Sequence, residues 1–171
     1  VNIAYGKINL GTIKIEANDR TYDTTEQPLL TVTKGGDYTL EYSDDNQASW
    51  VKDIIPVATN AGEYVIYVRA TKEGYNPKNT PAFPITVTIA KAPQSLEFDS
   101  NAPSNVTLGA NNEYNFAATG ENLSGKDIVY TLEDRSATDV ATINNSGMVT
   151  VANAGIVTVK AFRAGNDNYL D

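Results

Sequence analysis

The sequence predicts an all-β protein made of two tandem β-sandwiches. Apolar residues alternate with polar ones over short runs, which is the period of a strand with one buried face. Polar turn clusters separate these runs at the spacing that is typical of sandwiches. A strand preceded by Asn-Ala-Gly occurs twice, over residues 60–70 and again over residues 153–161. The chain is therefore organised as two related units.

The composition narrows the functional classes. A chain of 171 residues with 41% hydrophobic residues is long enough for two small domains with apolar cores. The net charge of −8 argues against nucleic acid as a partner, because phosphates require a basic surface. Cysteine and histidine are both absent, which removes disulfides, thiolate metal sites, histidine-based triads and the commonest zinc ligand. We therefore expect neither an enzyme nor a cofactor. We also expect no membrane insertion, because no apolar run approaches the roughly 20 residues of a membrane helix.

The first unit is predicted to span residues 1–91. Residues 1–15 are either the closing strand of a preceding repeat or the opening strand of this unit, and we favour the preceding repeat. Alternation over residues 38–42 predicts a strand with Tyr38, Leu40 and Tyr42 on one face. Both faces of Tyr64–Ala70 are largely apolar, so we expect this strand at the centre of its sheet. A strand at 85–89 closes the unit.

The second unit is predicted to span residues 92–171. Pro93 marks its boundary, because proline lacks an N–H and ends ladder pairing. The predicted strands are Gln94–Phe98, Tyr114–Ala118, Ile128–Leu132, Ala141–Ile143, Met148–Val151 and Ile156–Phe162.

The two units differ after their last turn. The first continues from Gly74-Tyr75 through a whole strand, whereas the second stops at Asp171 soon after Tyr169. We therefore expect the second unit to lack its closing strand, or the natural chain to continue. The resulting open edge is a pairing hazard, and residues 1–15 of a neighbouring molecule are a candidate to fill it.

Aromatic residues are the candidate ligand contacts, since sugar rings stack on exposed aromatic faces. Trp50, Tyr42 and Tyr75 are the candidate stacking residues, with Trp50 foremost because it follows a polar loop. The alternative, which we favour, places most of the ten tyrosines in or at the rim of the cores, Tyr42 among them.

Three acidic segments could bind Ca²⁺ or act as a catalytic acidic pair, but we favour neither role. Asp44-Asp45-Asn46 and Gly165–Asn168 carry oxygen ligands of the kind Ca²⁺ prefers, but neither has the spacing of a calcium loop. We interpret both as turns, in which Asx side chains bond nearby backbone. Glu133 and Asp134 are an acidic pair, but neighbours on a strand point to opposite faces. The sequence predicts no metal site and no catalytic residue.

Two family resemblances refine the prediction. Ser136–Thr150, followed by Ala154-Gly155 and Val157–Val159, resembles the second group of bacterial immunoglobulin-like domains, which occur in tandem in intimin- and invasin-type adhesins. Thr138-Asp139 adds one residue to that pattern, and the resemblance covers residues 93–169.

The first unit is similar to the Tyr-Asp-Gly class of repeats in bacterial surface proteins. The residues that carry this similarity are Thr21-Tyr22-Asp23-Thr24-Thr25, Glu41-Tyr42-Ser43, Trp50, Thr59–Tyr64 and Gly74-Tyr75. Thr24 stands where glycine is usual, so the similarity is weaker at that position.

The resemblances imply two tandem immunoglobulin-like β-sandwiches outside a bacterial cell. Their implied role is structural: a cell-surface or secreted spacer that presents another module, with flanking domains of the same polypeptide as partners. The alternative is a binding module, either an adhesin for a host protein or a carbohydrate-binding domain that uses exposed aromatics.

Overall fold

The computed structural model describes residues 8, 11, 13–75, 79–109, 111–133 and 135–171. These residues form strands and turns, with no helix among them, so the all-β prediction is confirmed. It follows that no helix in the described ranges has the length and hydrophobicity to cross a membrane. The chain divides into two compact units, Val1–Lys91 and Ala92–Asp171.

The first unit is built around one large sheet. Its strands are β1 (Ile13–Ala17), β2 (Arg20–Thr21), β3 (Gln27–Pro28), β4 (Leu30–Lys34), β5 (Thr39–Ser43), β6 (Val51–Lys52), β7 (Val57–Ala58), β8 (Gly62–Thr71) and β9 (Phe83–Ala90). Five of them form a sheet in the order β2-β9-β8-β5-β6, while β1 pairs with β4 and β3 with β7. Strand β8 lies at the centre of the large sheet, as its two apolar faces predict.

The core of the first unit follows from alternation along these strands. Side chains from β4, β5, β8 and β9 meet in one buried cluster, and partly buried residues of β1 pack against it. The buried residues are Leu29, Leu30, Tyr38, Leu40, Tyr42, Ile66, Val68, Ala70, Val87 and Ile89. The predicted inward face of residues 38–42 is confirmed.

The interpretation of residues 1–15 as part of a preceding repeat needs correction. Strand β1 belongs to the first unit, because it pairs antiparallel with β4, with Ile15 opposite Val32. Ile13 and Ile15 pack against the core of the same unit. Residues 1–7, 9, 10 and 12, which complete that interpretation, lie outside the described residues.

The second unit has smaller sheets. Its strands are β10 (Glu97–Phe98), β11 (Glu113–Asn115), β12 (Ala118–Thr119), β13 (Ile128–Glu133), β14 (Ala141–Ile143), β15 (Met148–Val151) and β16 (Thr158–Arg163). They form a three-stranded sheet, β11-β15-β14, and two pairs, β10-β12 and β13-β16.

One predicted strand of the second unit is broken in two. The prediction ran from 114 to 118, but β11 pairs with β15 and β12 pairs with β10. The break has a local cause. The backbone N–H of Ala117 donates to the side chain of Asn115 at 3.0 Å, which turns the chain after β11.

The second core is smaller than the first. Among the described residues, five hydrophobic side chains are buried in this unit, against ten in the first unit. The five are Ala118, Leu132, Val140, Ala141 and Val149. Phe116, Val157 and Val159 pack against the last four of these but stay partly exposed.

Candidate functional site

Trp50 lies in a small cluster on the outer face of the large sheet. Glu41 and Arg69 are directly opposite each other on β5 and β8. Arg69 Nε donates to Glu41 Oε2 at 2.7 Å, and the guanidinium lies 3.9 Å from the centre of the Trp50 ring. We call Glu41, Arg69 and Trp50 the Trp50 cluster. A guanidinium on an indole face is a favourable cation–π contact, and it covers one face of the ring that a sugar would need.

The other two candidate aromatics do not complete a stacking surface. Tyr42 is only 3% exposed and belongs to the core. Burial, together with the charge of Asp53, raises the pKa of its hydroxyl. Its selection as a stacking residue is therefore corrected: inward alternation on β5 buries the ring. Tyr75 is half-buried, and the Lys72 amine lies 4.8 Å from its ring centre.

The acidic turn at residues 43–49 is held by its own side chains. Asp45 accepts hydrogen bonds from the Ser43 hydroxyl at 2.6 Å, the Ser49 hydroxyl at 2.6 Å and the Ser49 backbone N–H at 3.0 Å. These bonds lower the pKa of Asp45 from 3.8 to about 2. Both carboxylate oxygens are engaged, so the geometry is that of a turn.

The second acidic turn has the same character. Asn166 Oδ1 accepts from the backbone N–H groups of Asn168 and Tyr169, at 2.8 and 3.0 Å. Across the described part of the chain, no three His, Cys, Asp or Glu side chains are grouped so that they could hold a metal. Glu133 pairs with Lys160 at 3.2 Å, and its neighbour Asp134 lies outside the described residues.

The turn after β2 contains the residue that departs from the Tyr-Asp-Gly pattern. Thr24 has φ +69°, a left-handed conformation that favours glycine. Asp23 holds this turn by accepting from the Thr25 hydroxyl at 2.7 Å and from Arg20 at 2.9 Å. The hydrogen bond from the Thr25 hydroxyl is the main cause that lowers the pKa of Asp23, and the charge of Arg20 lowers it further.

Parallel backbone contacts join the early and late parts of the first unit. Arg20 and Thr21 of β2 lie opposite Ile89 and Ala90 of β9 in parallel register. The Tyr22 N–H donates to the Ala90 carbonyl at 2.8 Å. We call such contacts between the start and the end of a unit its terminal tie.

A side chain extends this tie by one more bond. Asp19 Oδ1 accepts from the Thr88 backbone N–H at 2.7 Å, across 69 residues of sequence. The terminal tie of the first unit thus includes backbone and side-chain bonds on both sides of the β2–β9 register.

The second unit has a terminal tie of its own. Ala92 and Tyr169 form a parallel bridge. The Ala92 N–H donates to the Asn168 carbonyl, and the Leu170 N–H donates to the Ala92 carbonyl, each at 2.9 Å. Gly165 is needed here, because a Cβ at this position would collide with the Tyr169 carbonyl.

The second unit has a groove of about 700 Å³ with a mixed polar and apolar lining. Gly155, Ile156, Val157 and Val159 line one side of it. The rest of the lining comes from residues 98–106, from Phe116 directly after β11 and from β15, and it includes the polar residues Asp99, Ser104 and Asn105. We call this the β16 groove. Ile156 is 73% exposed, an unusual position for an isoleucine.

Sequence reasoning missed the Trp50 cluster and the terminal ties. Glu41 faces away from the core, yet it is only 7% exposed because the cluster covers it. Its pairing with Arg69 depends on the register of two strands that are 28 residues apart in the chain. No local pattern encodes that register. The sequence did offer one hint of a partner across the sheet, because Glu41 is an acidic residue in an otherwise apolar strand.

Comparison of the chain with protein-family models, curated proteins and solved structures gives no match.

Proposed function

We propose that the chain is a pair of tandem immunoglobulin-like β-sandwiches that act as non-catalytic spacer repeats of a bacterial surface or secreted protein. The repeats present another module of the same polypeptide. The observation that carries this proposal is the terminal tie in each unit, where early and late segments run parallel and share hydrogen bonds. A spacer is loaded along the chain, so its mechanical behaviour depends on the contacts between its ends.

The parallel geometry determines how those contacts respond to force. When the ends of a unit are pulled apart, parallel terminal segments must slide along each other, and their hydrogen bonds share the load. The strands of a hairpin pulled from its open end separate one bond at a time. Each bond contributes only about 1 kcal/mol at equilibrium. Resistance to unfolding under force therefore comes from several hydrogen bonds that carry the load at the same time. Even short parallel segments can provide it.

The turns support the same role. Side-chain bonds within 43–49 and at Asn166 fix loops that would otherwise be the preferred sites of proteolytic cleavage. Carbohydrate binding has less support, because Tyr42 is buried and Arg69 covers one face of Trp50.

Single-molecule force spectroscopy on the whole chain tests the proposal. We expect Asp19→Ala to lower the unfolding force of the first unit, because it removes the side-chain bond to Thr88. Asn18→Ala is the matched control: Asn18 bonds Pro28 and Thr31, away from the terminal tie. Both variants should lose up to about 1 kcal/mol of equilibrium stability.

Only Asp19→Ala should change the mechanics. Equal unfolding forces for the two variants would contradict the proposal. So would unfolding of the wild-type chain without a resolvable force peak.

A further inference from the structure

The second unit contains a buried arginine without an acidic partner. Arg163 is the last residue of β16 and is only 6% exposed. It lies on the same face of the strand as Val159, which packs against the core, so alternation explains its burial. No carboxylate of the described residues forms an ion pair with it. Such a residue requires an explanation, because buried charges are normally paired.

The hydrogen bonds of this guanidinium compensate only part of its charge. Arg163 Nη1 donates to the carbonyls of Glu121 at 2.7 Å and Gly120 at 3.4 Å. Arg163 Nε is buried and has no hydrogen-bond partner. Nη2 also lacks a partner among the described residues, but unlike Nε it keeps solvent-accessible surface. The guanidinium therefore has one free nitrogen that a ligand can reach.

Arg163 lines a groove of about 590 Å³, which we call the Arg163 groove. In the register of β13 and β16, Arg163 lies opposite Ile128, the first residue of β13. The register thus brings the arginine to the loop that precedes β13. Asn122 and Lys126 of that loop line the groove, and Asn145 joins them from the turn between β14 and β15.

The side chains with spare hydrogen-bonding capacity in this groove are mainly donors. Lys126, Asn122 and Asn145 are exposed and form no hydrogen bond or ion pair with the described residues. A lysine offers only donors, and each asparagine amide offers two N–H groups. The two hydroxyls of the lining are already engaged, since Tyr130 accepts from backbone and Ser146 donates to a neighbouring side chain.

The charge of the groove is opposite to that of the unit around it. The second unit has ten acidic and four basic residues, a formal charge of −6. Two of the four basic residues, Lys126 and Arg163, line the groove, together with one acidic residue, Asp127. The lining therefore carries a formal charge of +1, which favours an anionic ligand.

We propose that the Arg163 groove binds a sulfate or phosphate group. Arg163 Nη2 and Lys126 Nζ provide the positive charge, and the amides of Asn122 and Asn145 donate to further oxygens. A tetrahedral oxyanion suits donors that come from separate segments, because its oxygens point in several directions. The site does not depend on the spacer role. Sulfate and phosphate groups occur as free ions and as esters on sugars, so the experiment includes both.

Nuclear magnetic resonance of the whole chain tests the proposal. Backbone amide shifts are followed during titration with sodium sulfate or sodium phosphate, with sodium chloride of equal ionic strength as the reference. We expect saturable shifts in residues 120–128, 144–146 and 163, which chloride does not reproduce. Glucose 6-sulfate and glucose 6-phosphate form the second arm. Tighter binding of the esters would identify a sugar ester as the ligand, and tighter binding of the inorganic ions would identify the free ion.

Three exposed positions give variants that should keep their fold. Lys126→Gln should weaken sulfate binding at least about three-fold, because it removes a charged donor. Lys160→Gln is the matched control: it removes the same charge from an exposed lysine of the same unit, outside the groove. Asp127→Asn should strengthen binding about two- to five-fold, because it removes a negative charge beside the anion.

Arg163→Gln should weaken sulfate binding at least about ten-fold. Since this residue is buried, its variant is compared only if its amide spectrum keeps the dispersion of the wild type, and the Lys126 and Asp127 variants decide otherwise. Three results would overturn the proposal. They are sulfate and phosphate shifts that chloride reproduces, equal affinities of the Lys126→Gln and Lys160→Gln variants, and an Asp127→Asn variant that binds no more tightly than the wild type.

Discussion

At the scale of single residues, backbone conformation at Thr24 is a small and local source of instability. Its φ of +69° lies in the region that L-residues other than glycine avoid. The surrounding hydrogen bonds of Asp23 hold the turn in place despite this cost. The Tyr-Asp-Gly pattern has glycine at this position, which is the residue that the conformation favours.

We therefore expect Thr24→Gly to stabilise the first unit. The gain should be about 0.5–1 kcal/mol, smaller than the full cost of the conformation because glycine loses more entropy on folding. Urea denaturation measures this change. Thr24→Ala is the control, since it removes the same side chain and keeps the unfavourable φ; a gain as large for alanine would contradict the explanation.

Asp45 should make the first unit sensitive to acid. Its pKa is lowered from 3.8 to about 2, so the stabilisation from its ionised form is complete above pH 4 and is lost as the pH falls through about 2. We expect Asp45→Asn to be less stable than the wild type near neutral pH. The difference should shrink between about pH 4 and pH 2.

Chemical denaturation at a series of pH values measures this effect. Asp44→Asn removes a charge from the adjacent exposed residue and is the control. A stability difference for Asp45→Asn that does not change with pH would contradict the assignment.

At the scale of elements, the outer face of β5 depends on the Trp50 cluster. Glu41 is nearly buried between Arg69 and the strand, so loss of Arg69 leaves a carboxylate without its cation. We expect Arg69→Ala to destabilise the first unit by about 2–3 kcal/mol, because removing one partner of a buried pair exposes the desolvation cost of the other. Arg69→Lys should cost less, about 1 kcal/mol, because it keeps the charge and loses the planar stacking on Trp50.

A double-mutant cycle with Glu41→Gln separates the ion pair from the stacking. The coupling energy between Arg69→Ala and Glu41→Gln should be clearly above zero. Additive losses would show that the pair contributes nothing beyond its separate side chains.

Prediction from sequence succeeded for elements where alternation is strong. The period-two pattern of residues 38–42 predicted which side chains enter the core, and the two apolar faces of residues 64–70 predicted a central strand. Met148–Val151 and Ala141–Ile143 have their predicted bounds. It failed where one side chain redirects the backbone, as Asn115 does. It also failed where register decides, as for Glu41 opposite Arg69 and for β1 opposite β4.

The candidate site was less predictable than the fold. Trp50 was selected from the sequence, but the covering of its ring by Arg69 is a contact between segments that are far apart in the chain. The β16 groove is lined by residues 98–106, Phe116, β15 and residues 155–159, which are far apart in the chain. Surfaces of this kind depend on contacts between distant segments, so local patterns do not encode them.

At the scale of the whole molecule, the two cores predict unequal stabilities. The first unit has ten buried hydrophobic residues and the second has five, among the residues that the structure describes. Because burial of apolar surface is the main stabilising term, we expect two calorimetric transitions, with the second unit unfolding at the lower temperature.

Substitutions in each core show which calorimetric transition belongs to which unit. Ile66→Ala should lower only the upper transition, with a loss of about 2–4 kcal/mol, and Val149→Ala only the lower one, with a loss of about 1–3 kcal/mol. Both residues are fully or nearly fully buried. A single transition that both substitutions shift equally would show that the chain unfolds as one cooperative body.

The Trp50 cluster also gives the chain a built-in optical label. Trp50 is the sole tryptophan of the sequence, and it belongs to the first unit. Its indole is half-buried beneath a guanidinium, so its emission shifts to longer wavelength when that unit opens and the ring enters water. The second unit contains tyrosine but no tryptophan. A change seen by circular dichroism but silent in tryptophan emission can therefore be attributed to the second unit without any added dye.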